Sequence, residues 1–154
     1  MTKLPMVDVE TLGILFLKAR THYRFSDKAV PDDLLKHIYD IARMGPTSGN
    51  CCPMRVIFVK SPEGKARLLP GMRPGNVDKV KSAPVTAIFG FDLAFYEHIG
   101  RLAPHATERI ETYRNDPDLA YRASFRNATL QASYFMTVAR ATCSGYASSP
   151  IVSE

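Results

Sequence analysis

The stretch Gly45-Pro46-Thr47-Ser48-Gly49-Asn50 gathers the groups most able to bind a small molecule in this 154-residue chain. It lies between a strongly patterned helix and a strand at 54–60. Its side chains are small, so backbone N–H groups stay accessible. Thr47 and Ser48 bring hydroxyls and Asn50 brings an amide, each able to donate and accept. Such a set suits a flat heteroaromatic ligand with carbonyl and phosphate oxygens. The same residue types also build ordinary turns, and composition alone leaves both readings open.

Other chemistries find less support. Of the three cysteines, Cys51 and Cys52 are neighbours, a strained arrangement for a bridge, and Cys143 is distant. There is no C-x-x-C spacing, and His22, His37, His98 and His105 form no close set with cysteine. Neither a disulfide framework nor a zinc site follows. G-x-G-x-x-G and Walker loops are absent from the sequence. Twenty basic and fifteen acidic residues give a formal charge of +5, with the positives scattered along the chain. That distribution argues against a nucleic-acid partner. A small anion such as phosphate needs only one or two of them.

The length fits one domain, and 45% hydrophobic residues are enough to build a core. The longest good apolar run, Val85 to Phe91, contains Thr86 and Gly90 and is too short to cross a membrane. The first residues lack the basic-then-apolar layout of a secretion signal, so a cytoplasmic location is the default expectation.

Several elements must position these groups. Asp8 caps a first helix whose apolar face is Leu12, Leu15, Phe16 and Ala19. Val30-Pro31-Asp32-Asp33 starts a second, with Leu34, Leu35, Ile38, Ile41 and Ala42 on its buried face and Gly45-Pro46 as its stop. Residues 56–59 and 84–89 read as strands. Ser61-Pro62-Glu63 opens a short helix, and residues 71–76 read as loop. Residues 93–118 suit a mobile excursion or lid, with Phe95, Tyr96 and Tyr113 either lining it or serving as core cover. The last helix is expected at 119–141, with Phe125, Ala128, Ala132, Phe135 and Ala139 along one stripe.

In order and spacing, Arg20-Thr21 with Phe25, Val30-Pro31, residues 45–50, Asn76-x-x-Lys79 and Ala83-Pro84-Val85 together resemble the flavin-dependent nitroreductase family. Within it, the malonic semialdehyde reductase branch is most similar. The pieces that carry this are Ala19-Arg20-Thr21-His22, Asn50-Cys51, Ala83 to Ile88, Phe95-Tyr96-Glu97, and Phe125-Arg126-Asn127 followed by Gln131-Ala132.

The resemblance implies an α+β fold with a central, mostly antiparallel sheet flanked by helices. It implies a homodimer with FMN at the interface and the last helix in that interface. Catalysis would be ping-pong: NADH or NADPH delivers hydride to flavin N5 and leaves, then an acceptor takes hydride from the same face. A flavin carries the hard chemistry, so no catalytic residue of the protein is required. Arg20 would clamp the phosphate through its planar guanidinium, with Thr21 or His22 donating beside it. Asn76 and Lys79 would meet the pyrimidine oxygens, the lysine stabilising negative charge on the reduced ring. Pro46, Thr47, Ser48 and Asn50 would reach the flavin of the other subunit. The acceptor would be a small aldehyde such as malonic semialdehyde, or a nitro compound or quinone. Taken singly, Arg20 is equally a cation ending a helix, Lys79 a solvated charge and Asn76 a turn residue.

After residue 141 the chain departs from the family's Gly-Leu turn and Gly-Pro-Met-like segment. The expectation is an incomplete nitroreductase-like domain over 1–141, lacking the C-terminal strand and arm, and a disordered tail over 142–154. The alternative function that follows is a truncated, non-catalytic remnant with weak or no flavin binding.

Overall fold

The structure is a computed structural model that describes residues 7–142; the tail beyond residue 142, with Cys143, lies outside the described residues. Helix α1 (Val9–Leu12) runs on as one wider, π-type turn over Gly13–Leu17. Asp8 caps it as its sequence position predicts: one carboxylate oxygen accepts from the Thr11 N–H at 2.7 Å and the other from the Thr11 hydroxyl at 2.9 Å. Those bonds hold the Asp8 carboxyl below its ordinary range. The apolar face expected here is not core. Leu12 and Phe16 are exposed, Phe16 at 59%, because no described element of this chain covers them.

Helix α2 (Asp32–Ala42) begins where Pro31 presets the backbone and Asp32 and Asp33 meet the positive helix end. It buries Leu35, Ile38 and Ala42, while Ile41 points outward. Strands β1 (Met54–Val59) and β2 (Thr86–Phe91) pair antiparallel, from Met54 opposite Phe91 to Val59 opposite Thr86. Between them lie α3 (Pro62–Leu68), capped by the Ser61 hydroxyl, and α4 (Pro74–Ser82). The predicted loop at 71–76 is therefore corrected at its second half. Pro74 fixes φ in the first turn of α4 and outweighs the weak helix propensity of Gly75 and Asn76.

Residues 93–118 are folded rather than a loose excursion. They form two 3-10 turns, Phe95–His98 and Pro104–Ala106, with helices α5 (Ile99–Leu102) and α6 (Glu108–Asn115). Phe95 is fully buried against Cys51, Ala120 and Ala123, with Tyr96 and Tyr113 packed over it. Its ring meets Tyr113 edge-on at 4.9 Å.

Helix α7 (Pro117–Thr142) is the spine. Phe135 packs between Phe58 at 5.8 Å and Phe89 at 5.3 Å, joining α7 to both strands, while Ile38 and Ala42 join the same cluster from α2. The buried stripe differs from the expected one. It runs through Ala120, Ala123, Ser124, Asn127, Ala128, Gln131 and Phe135, and Phe125 is 53% exposed. Three of these buried positions are polar because their side chains bond the backbone of neighbouring segments.

Candidate functional site

Residues 45–52 follow α2 and cross the flank of α7. Gly45 passes so close to the Tyr134 ring that any Cβ would collide with it. The Tyr134 hydroxyl donates to the Pro46 carbonyl at 3.0 Å, and the Ser48 N–H donates to the Asn127 carboxamide oxygen at 2.9 Å. One helical turn further on, the Gln131 oxygen accepts the Met54 N–H at 2.9 Å. Asn127, Gln131 and Tyr134 thus present polar groups from neighbouring turns of α7 and fix the whole passage from helix to strand. Buried Asn127 is itself secured by donating to the Ala123 carbonyl at 2.8 Å.

The backbone there is unusual. Gly49, Asn50 and Cys52 all adopt positive φ, at 60°, 50° and 40°. Asparagine tolerates this region, whereas cysteine does so at a cost, and strain of this kind gathers at ligand-binding segments. The Thr47 hydroxyl accepts the Cys52 N–H at 3.3 Å, and the Asn50 amide donates to the Leu102 carbonyl at 2.7 Å. Thr47 and Asn50 therefore help to hold the loop as well as belonging to its polar surface. Pro46 and Ser48 are exposed, and the Ser48 hydroxyl makes no hydrogen bond among the described residues. Burial pushes the Cys51 thiol up, so it serves as a packing group beneath Phe95 rather than as a thiolate.

A second group forms where residues 20–25 approach α4. Lys79 sits one helical turn from Asn76, and its ammonium donates to the Asn76 carboxamide oxygen at 3.3 Å. The same ammonium lies 4.3 Å above the centre of the Tyr23 ring, a cation–π contact. Tyr23, Arg24 and Phe25 line a cleft of about 480 Å³ with Gly75, Asp78, Lys79 and Ser82. Arg20 is exposed, its guanidinium turned back to the Leu17 and Ala19 carbonyls at 3.3 and 2.8 Å. Thr21 is exposed and His22 half-buried, and neither makes a hydrogen bond among the described residues.

The segment bearing Arg20, Thr21 and His22 is thus joined to the Asn76–Lys79 pair. The hydrogen bonds of Pro46, Thr47, Ser48 and Asn50 go instead to α7, to Leu102 and within the loop. A larger groove of about 900 Å³ runs along α2 and β1 and contains none of these residues. Asn127, Gln131 and Tyr134 went without a role in the sequence reading. Their polarity inside a helix stripe marks them only once the stripe is known to be buried.

Among the described residues no group of three or more His, Cys, Asp and Glu side chains could hold a metal ion. No helix there is long and apolar enough to cross a membrane.

Comparison with known proteins gives this arrangement a context. A Burkholderia lata protein, named provisionally as an NADH dehydrogenase/NAD(P)H nitroreductase, is 50% identical over 130 residues, covering 84% of this chain and 66% of that protein. A Stutzerimonas stutzeri protein with the same provisional name is 45% identical over 135 residues, 88% of this chain and 68% of its own. The chain thus spans about two thirds of the length of these relatives. Among solved structures, an Exiguobacterium sibiricum protein, described provisionally as a nitroreductase and crystallised in complex with FMN, superposes with a TM-score of 0.75 at 17% identity, over 89% of this chain and 72% of that one. A Streptococcus mutans nitroreductase-like protein gives a TM-score of 0.67 at 24% identity, over 86% and 71%. The sequence profile of the Nitroreductase family matches residues 17–151, a span that includes the loop at 45–52, the cleft beside α4 and all of α7. With the family profile matched over most of its length and half of 130 aligned residues shared with one such relative, the chain belongs to the nitroreductase family.

Proposed function

We propose that the chain is a flavin-dependent NAD(P)H oxidoreductase that binds FMN and reduces a small acceptor. The observation that carries this reading is the junction of residues 20–25 with α4. It brings Lys79, which is bonded to the Asn76 carboxamide, to a cleft beside the Tyr23 ring, with Arg20 three residues before that tyrosine. These residues fit FMN: Arg20 carries positive charge for the phosphate, Lys79 carries it for the ring, and Thr21 and His22 retain their donor capacity. When bound, FMN supplies the hydride chemistry, taking reducing equivalents from NADH or NADPH and passing them on. Lys79 would hold positive charge beside the pyrimidine oxygens, Asn76 would orient that lysine through their hydrogen bond, and Arg20 would neutralise the phosphate. Pro46, Thr47, Ser48 and Asn50 wall the site of a second copy. The α7 anchors keep that wall in place before any ligand arrives, which lowers the cost of ordering it.

A homodimer is part of this reading. Exposed Leu12, Ile14, Phe16 and Leu17 near the start, with Phe125 and Met136 on α7, provide apolar surface that a second copy would cover. The acceptor in this reading is a small aldehyde such as malonic semialdehyde, or a nitro compound or quinone. Anaerobic mixing of the flavin-reconstituted protein with NADH, and separately with NADPH, tests the activity. Bleaching of the flavin absorption within seconds is the expected result. Colourless protein that fails to quench added FMN fluorescence would contradict it and favour a non-catalytic chain.

A further inference from the structure

Arg109, in the first turn of α6, lies directly across Gly49. A Cβ built on that glycine would collide with the Arg109 guanidinium. The left-handed backbone at Gly49, with φ of 60°, and its missing side chain together give the guanidinium its seat. Three other arginines of this region are engaged. Arg114, five residues along the same helix, is bonded to Glu97 and Glu111, which raises its pKa. Arg55 pairs with Asp92 at 2.5 Å, and Arg140 donates to the Leu15 carbonyl. Arg109 differs. Its ion pair is with the adjacent Glu108 at 3.9 Å, the outer limit of pairing, and it donates no hydrogen bond among the described residues. Its side chain is 48% exposed, and a planar fork of N–H donors is left over the loop. The neighbouring Ser48 hydroxyl is likewise exposed and without a protein partner among the described residues.

We propose that Arg109 is the anchor for the carboxylate of an acidic acceptor, seated on Gly49 with the Ser48 hydroxyl beside it. The inference rests on the function proposed above and adds the substrate class, a small acid carrying a reducible group. A guanidinium matches a carboxylate in bidentate geometry. A small acid has its carboxylate only a few bonds from the reacting carbon, so its anchor must stand on the wall that faces the flavin ring. The phosphates of a nicotinamide dinucleotide share the same anionic chemistry but lie far from its reacting ring.

Steady-state kinetics with malonic semialdehyde and with an uncharged quinone, each against one nicotinamide, separates these sources. In Arg109→Ala the ratio of kcat/KM for the acid to that for the quinone falls about 10- to 100-fold, the range of a lost charge-assisted hydrogen bond, and Arg109→Lys recovers part of it. An unchanged ratio overturns the proposal, as does a loss confined to the nicotinamide-dependent half-reaction. A second readout needs no turnover. Malonate raises the melting temperature of the wild-type protein more than malonamide does, and Arg109→Ala abolishes that difference. Equal shifts for the two probes, or no shift with malonate, also overturn it. Loss of all turnover in the wild type, quinone included, would instead count against the proposed function and leave the malonate result to decide on Arg109.

Discussion

The loop at 45–52 and the surface formed by residues 20–25 with α4 are the two halves of the candidate site, and they are held in opposite ways. The loop is over-determined. Three α7 side chains bond its backbone or that of the following strand, the Tyr134 ring leaves no room for a side chain at Gly45, and buried Cys51 and Phe95 pack behind it. The other half is lightly tied. Its links include one 3.3 Å hydrogen bond, a cation–π contact at a tyrosine ring that is 71% exposed, and an arginine folded onto its own backbone, and Arg24 is engaged as well. The loop keeps its strained backbone because α7 fixes it. In the basic half, Thr21 and His22 keep their donors available, since neither makes a hydrogen bond among the described residues. A rigid wall and a loosely held set of charges suit a site completed by an anionic ligand and a second subunit.

The contrast can be broken most severely at its support. Phe135→Ala removes the ring that joins α7 to Phe58 and Phe89 and is expected to destabilise the fold by about 3–5 kcal/mol, read from urea unfolding. Gly45→Ala drives a methyl into the Tyr134 ring, at about 1–3 kcal/mol, and Tyr134→Ala in the same chain recovers part of that loss. Gln131→Leu leaves the Met54 N–H without its partner, at about 1–3 kcal/mol. A stability loss as small for Gln131→Leu as for a surface change would mean that the loop is not held by α7.

The lightly tied half gives the smaller stability effects. Lys79→Ala changes unfolding by less than about 0.5 kcal/mol, because its partners are exposed. The same change weakens FMN binding about tenfold or more, measured by fluorescence quenching. The smallest effect is at Asp8. Its folded-state pKa is lowered by the Thr11 bonds, so the stability it adds is present above the ordinary carboxylate range. That stability is lost as pH falls through the lowered value. Asp8→Asn flattens this part of the acid limb of melting temperature against pH, and an identical limb in both proteins would show that the cap is not formed.

Much of this was legible in the sequence. Pro31-Asp32-Asp33 announces α2, Asp8 announces α1, and the β-branched runs mark both strands, because these signals act over a few residues. The family resemblance and its α+β fold were legible in the same way, from motifs whose order survives in the chain. What escaped depends on distant partners. The buried stripe of α7 lies off the expected one since Ser124, Asn127 and Gln131 look like surface residues until the backbone groups 32 to 79 positions away that they bond are seen. The start of α4 was hidden by Gly75 and Asn76, whose weak propensity the preceding proline overrides. Leu12 and Phe16 have the spacing of a core face yet stand exposed, since periodicity reports an apolar face and not what covers it. Arg109 offered no signal at all; its seat on Gly49 joins residues 60 positions apart.

The most direct test of a flavin cradle shared by two copies is FMN binding, by equilibrium dialysis, to wild-type protein, to Lys79→Ala, to a variant carrying Pro46→Ala, Ser48→Ala and Asn50→Ala, and to the last two coexpressed. Retained yellow flavin in the wild type, loss in each variant and partial recovery on coexpression are expected, since a mixed dimer regains one intact cradle. Flavin lost equally from the coexpressed pair, or never retained by the wild type, would contradict the account.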